Sequence, residues 1–144
     1  KSGTLRGSTG FAAGIPAALV LEPQGDELLV GLTSGAVTRV DFSARILETL
    51  PPLVPGQGLA QQTFPDGART LVFSSEGDTL WAALNGIRGA CSVVTLSWRD
   101  RTLRRSVRLV EPTESLTRSA DDSLLLRGTQ AGTWELRGTG RRRP

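Results

Sequence analysis

The side chains that most often perform chemistry are scarce in this sequence. It contains no His, no Tyr and a single Cys, Cys91. A Ser–His–Asp triad needs an imidazole to take and return a proton, so none can be assembled here. Cys91 lacks a His to deprotonate it and stands in the apolar run Cys91-Ser92-Val93-Val94, where a small buried residue is expected. One Cys and no His also leave too few donors for a zinc site. Asp121 and Asp122 are of the type that binds a hard cation, but adjacent carboxylates in a turn are normally solvated. No P-loop or dinucleotide fingerprint occurs, and Gly86-x-x-Gly89 is too short to stand for one. No catalytic residue, metal site or cofactor is expected.

What remains is arginine. Lys1 is the only lysine. Arg99, Arg101, Arg104, Arg105 and Arg108 lie in and beside one predicted strand, Thr102 to Leu109. Regular alternation predicts that Arg104 and Arg108 share a side, with Leu103, Val107 and Leu109 opposite. The favoured reading is edge protection, because charges on an outer strand discourage pairing by another chain. The alternative is a basic stripe for phosphate or an acidic protein surface, which the guanidinium fork suits. On that reading Arg99, Arg101, Arg104 and Arg108 are candidate contacts. Arg88 and Gln130, in predicted loops between strands, are further candidates for a protein partner.

The length fits one domain, and the ordinary apolar fraction allows a core. The formal charge is +3, but Arg99 to Pro144 holds most of the arginines. The lone Cys excludes an internal disulfide and is compatible with a reducing compartment, so a cytoplasmic site is favoured. No run approaches the ~20 apolar residues of a membrane helix, and no signal-peptide core is present. The absence of Met predicts a piece of a longer polypeptide.

The elements that must carry these residues read as short strands cut by turns. Thr4-Leu5-Arg6 is a possible short strand near the start. Ala18 to Glu22, Glu27 to Leu32, Val37 to Phe42 and Ile46 to Leu50 form a first group, with a hairpin at Gly35. Val40 and Phe42 are the predicted core face of the third strand, while Leu28-Leu29-Val30 is apolar on both sides. Pro51 to Ala68 reads as a long Pro/Gly/Gln loop, a possible contact surface. Thr70 to Phe73, Thr79 to Leu84, Cys91 to Trp98 and Thr102 to Leu109 repeat the scheme, with Asn85 to Ala90 as the middle loop. Ser115 to Arg118, Ser123 to Arg127 and Thr133 to Arg137 begin a third copy that lacks a fourth strand. Trp81, Trp98 and Trp134 all fall in strands, where packing is their expected role.

The three groups align on a turn with Asp26, Asp78 or Asp122, an apolar strand, a Gly-containing turn and a second strand. Such a period suits propeller blades, each sheet covering the next. The phrase from Phe73 to Leu80, F-S-S-E-G-D-T-L, is close to the F-S-P-D-G turn of WD40 and YVTN-type propellers, which the chain resembles over nearly its whole length. The Gly-His and Trp-Asp pairs of WD repeats are missing; Val40-Asp41, Leu96-Ser97 and Trp134-Glu135 stand in place of the latter. The expected fold is therefore all-β, with antiparallel four-stranded blades of an incomplete propeller over residues 16–50, 69–110 and 114–137 and a basic tail, 138–144. A β-sandwich is the alternative. The resemblance implies a non-enzymatic scaffold for protein partners. Nucleic-acid or anionic-surface binding, and a regulatory propeller attached to a catalytic domain elsewhere, are the competing expectations. An open stack leaves apolar faces uncovered, so missing blades are expected from the same or another chain.

Overall fold

A computed structural model describes residues 3–5, 7–60, 70–86, 90–128 and 133–136. These contain strands and turns and no helix. Strands β1 (Pro16–Leu21), β2 (Glu27–Leu32), β3 (Val37–Asp41) and β4 (Ile46–Leu50) form an antiparallel meander in chain order. The second sheet contains β5 (Gln57–Leu59), β6 (Leu71–Phe73), β7 (Thr79–Gly86), β8 (Cys91–Ser97) and β9 (Thr102–Leu109). The third contains β10 (Thr113–Arg118), β11 (Leu124–Gly128) and β12 (Thr133–Leu136), again in order.

Turn chemistry sets these breaks. Gly35 takes a φ of +90° between β2 and β3, and a Cβ there would overlap the carbonyl oxygen of Gln57. Only glycine permits both the turn and that close approach. The β1–β2 and β6–β7 turns close identically, from the amides of Glu22 and Ser74 to the carbonyls of Glu27 and Thr79.

The expected long loop over Pro51 to Ala68 contains a strand. β5 pairs with the far end of β7, Gln57 opposite Gly86 and Leu59 opposite Leu84. β6 pairs with the near end, Leu71 opposite Ala82 and Phe73 opposite Leu80. The two lie in line, one interrupted strand beside β7. The Ala60 amide donates to the Ala83 carbonyl, the Ala83 amide to that of Thr70, and Thr70 Oγ1 to that of Ala60 at 2.7 Å. This lets β7 continue through Asn85 and Gly86, which were expected to begin a loop.

Three further expectations are corrected. Thr4 and Leu5 belong to no strand, and Arg6 lies outside the described residues. Of the expected core face, Val40 is buried with Val30, Leu32 and Ala36 under Phe11, whereas Phe42, at the end of that face, is 53% exposed. The third turn, closed between Ser119 and Ser123, is one residue shorter than the others. Asp122 there takes the left-handed place held by Gly77 in the second turn, with φ values of 60° and 75°. Short polar side chains tolerate that region, so Asp122 is not the structural equivalent of Asp78.

The core lies in the seams between sheets, with a further cluster of Val30, Leu32, Ala36 and Val40 under Phe11 on the outer side of the first sheet. Ala18, Val20, Leu29 and Val37 of the first sheet pack on Leu59, Leu71, Phe73, Leu80, Leu96 and Trp98 of the second. The second sheet's other face, with Val72, Trp81, Ala83 and Val93, packs on Leu116, Leu124 and Leu126 of the third. Sheets therefore stack face to face, and the second is covered on both sides.

Candidate functional site

A cleft of about 770 Å³ opens at the outer end of the first seam. Its walls are the β1–β2 turn (Glu22, Gln24), the β6–β7 turn (Glu76, Gly77, Asp78) and the β8–β9 turn with the start of β9 (Ser97 to Arg101, and Arg104).

Trp98 forms its floor. β8 ends in a turn anchored by the Trp98 amide, which donates to the Asp78 carbonyl at 2.8 Å. The indole is buried and meets the Phe73 ring edge to face, centroids 5.6 Å apart at 78°. Its Nε1–H crosses the seam to Glu22 Oε1 at 2.9 Å. That bond satisfies the one polar atom of an otherwise apolar ring. Gln24 Nε2 makes a second crossing, donating to the Glu76 carbonyl at 2.6 Å.

Arg101 has a φ of 57°, which turns it back over Trp98. Its guanidinium carbon lies 3.6 Å from the ring centroid, a cation–π contact, and Nη1 donates to the Trp98 carbonyl. It also reaches Glu48 of the first sheet at 3.3 Å. Glu48 in turn pairs with Arg39 at 2.8 Å, and Arg39 with Glu27 at 2.5 Å. The seam is thus apolar inside and closed outside by a ladder of alternating charges, all half-buried. Hydrogen bonds from Arg39, and then from Arg101, hold the Glu48 carboxyl below its ordinary range. The bonds to Glu48 and Glu27 push Arg39 further up.

At the mouth, Ser97 Oγ donates to Asp100 Oδ2 at 2.9 Å, and Arg104 Nη2 donates to Ser97 Oγ at 3.1 Å. Arg99 is exposed and has no ion-pair partner among the described residues. The structure therefore brings Arg99, Arg101 and Arg104 together at one opening, with Arg101 already committed to the seam. Arg108 stands apart, opposite Ser92 in the register. A bulge between Leu103 and Arg105 explains why. It inserts Arg104 as an extra residue, so Leu103 (opposite Leu96) and Arg108 share a face instead of opposing each other. Arg88 and Gln130, like Gly132 and the tail, lie outside the described residues.

Cys91 is buried, and burial pushes its thiol further up, away from the reactive thiolate. Among the described residues, no group of His, Cys, Asp and Glu is placed to hold a metal ion, and no helix is long and apolar enough to cross a membrane.

No family model matches the chain, and no curated protein matches it. Among solved structures it superposes on the β-propeller domain of Cps50 (Swd1) from Myceliophteria thermophila with a TM-score of 0.65, at 17% identity. The fold is that of a β-propeller. The match covers 90% of this chain and 38% of that one, so the sheets are blades of an unclosed ring. U3-55K aligns more loosely, with a TM-score of 0.38 and 11% identity over 92% of this chain and 54% of that one.

Proposed function

We propose that the chain is a non-enzymatic propeller segment that serves as a scaffold for protein partners, with the first inter-blade cleft as a contact surface for an acidic segment. The observation that carries this reading is the convergence of Arg99 and Arg104 at the mouth of a cleft whose floor is rigid. Trp98 and Arg101 are fixed by packing and by bonds to both blades, so a partner meets a preformed surface. Arg99 offers an uncommitted guanidinium fork for a carboxylate. Glu22, Glu76, Asp78 and Asp100 line the cleft beside the arginines, so it suits a segment that places a carboxylate on Arg99 at the mouth, and it lacks the continuous basic track that a phosphate backbone needs.

Fluorescence anisotropy with an Asp/Glu-rich peptide and with single-stranded RNA of equal charge tests this. The peptide is expected to bind the native chain and to lose at least tenfold in affinity on Arg99→Ala/Arg104→Ala. RNA binding that exceeds peptide binding and falls steeply with salt would overturn the reading in favour of an anionic-surface module.

A further inference from the structure

The chain covers part of its first blade with its own beginning. On the side of that blade away from the first seam, Val30, Leu32, Ala36 and Val40 form a buried apolar patch, and Phe11 packs on it. Phe11 belongs to residues 7–15, a segment outside the strands. This segment crosses the blade from end to end. At one end Gly7 passes the β3–β4 turn so closely that a Cβ would overlap the carbonyl oxygen of Ser43. At the other, Gly14 has a φ of +148°, and a Cβ there would lie 3.2 Å from the amide nitrogen and Oγ of Ser34 in the β2–β3 turn. Glycine at both ends and an aromatic ring between them define what this side accepts, the pattern G-x-x-x-F-x-x-G.

The hold on this segment is slight. Among the described residues its hydrogen bonds to the blade are confined to Ile15. The Ile15 amide donates to Thr33 Oγ1 at 3.1 Å, and the Ile15 carbonyl accepts from the Thr33 amide at 2.8 Å. Ser8, Thr9, Gly10, Ala12 and Ala13 are exposed. One half-buried ring is thus set against a loss of backbone freedom that grows with every residue ordered.

The segment also covers this side incompletely. Leu21 stands opposite Leu28, and Leu28 opposite Val40, so Leu21 and Phe42 adjoin the patch. Each is nevertheless 53% exposed. Phe42 directly precedes Ser43, where Gly7 passes, so this open corner lies beside the start of the segment.

We propose that this side of the first blade is a peptide groove with residues 7–15 as its built-in ligand, and that it takes an extended segment of a partner protein bearing Phe and Gly at the same spacing. The tether to β1 keeps the built-in segment always at hand, so it excludes ligands that make only its own contacts. A partner segment with further apolar residues ahead of its first Gly also covers Leu21 and Phe42, and that added contact displaces the built-in one. The chain's beginning is therefore a plug that sets the threshold for binding.

Fluorescence anisotropy with a labelled peptide of the sequence Gly7 to Pro16 tests the proposal on the full chain, with far-UV circular dichroism confirming that each variant is folded. Phe11→Asp and Phe11→Ala chains, which no longer seat their own segment, are expected to bind the peptide roughly tenfold or more tightly than the native chain, where the built-in copy competes. A peptide carrying Phe11→Ala should not bind them, and Ala36→Glu added to either chain should abolish binding. Two Leu placed ahead of Gly7 in the peptide should tighten its binding to the native chain. Equal binding by the native and Phe11-substituted chains would overturn the proposal. So would no binding by the folded variants, binding that survives Ala36→Glu or loss of the peptide's Phe, or no gain from the added Leu pair. Failure of both Phe11 variants to fold would overturn it too, since a plug that gives way to a partner is not needed for folding.

Discussion

At the scale of single residues, Trp98 decides how the first two blades meet. It is buried, touches Phe73, binds Glu22 across the seam and carries Arg101 on its face. Trp98→Ala is expected to lower stability by about 3–5 kcal/mol, the usual cost of deleting a large buried aromatic side chain, as read by urea denaturation. Glu48 makes the same seam sensitive to acid. Its folded pKa lies below its unfolded value through hydrogen bonds from Arg39 and Arg101. The stability it contributes is therefore fully present above the unfolded carboxylate value and is lost as pH falls through the depressed folded one. Urea midpoints measured between about pH 6 and pH 3 should fall less steeply for Glu48→Gln than for the native chain. From the sequence, Trp98 was legible as a packing residue in a strand. Its bond to Glu22, 76 positions away, was not, because it depends on which sheets become neighbours.

At the scale of elements, the interrupted strand beside β7 is the feature that composition concealed. The Pro, Gly and Gln of residues 51–68 read as a loop, yet Gln57 to Leu59 pairs because β7 continues far enough to receive it. Gly58 belongs there for a second reason, since a Cβ would overlap the carbonyl of Thr33 in the first blade. The hydroxyl of Thr70 joins the two halves through the Ala60 carbonyl. Thr70 is fully buried, so Thr70→Val deprives that carbonyl of its hydroxyl donor. The expected cost is about 1–3 kcal/mol, measured by thermal or urea unfolding. The turns, by contrast, were readable, since Gly35, Gly77 and their polar neighbours leave the backbone little choice. The bulge at Arg104 was not, because nothing in an Arg-rich strand marks which residue loses its partner.

At the scale of the whole molecule, the repeat was legible because each blade must present two apolar faces, and Leu29 with Val30 or Trp81 with Ala82 already show both. The exposure of Phe42, beside the buried Val40, could not be read from its type, since an apolar residue looks the same whether or not something covers it. Three sheets stack face to face, with a closed first seam and with Thr117 and Arg127 exposed on the far side of the third. Gly31, opposite Val37, and Arg127, opposite Thr133, hold the same register position in the first and third blades, so valine at each tests this stack directly. Valine favours strands at both positions, so propensity alone predicts no loss at either. In urea denaturation Gly31→Val is expected to destabilise by roughly 1–3 kcal/mol through overpacking against Leu59 and Leu71. Arg127→Val is expected to stay within about 0.5 kcal/mol of the native chain. Equal stability of the two variants, or a Gly31→Val chain as stable as the native one, would contradict the stack.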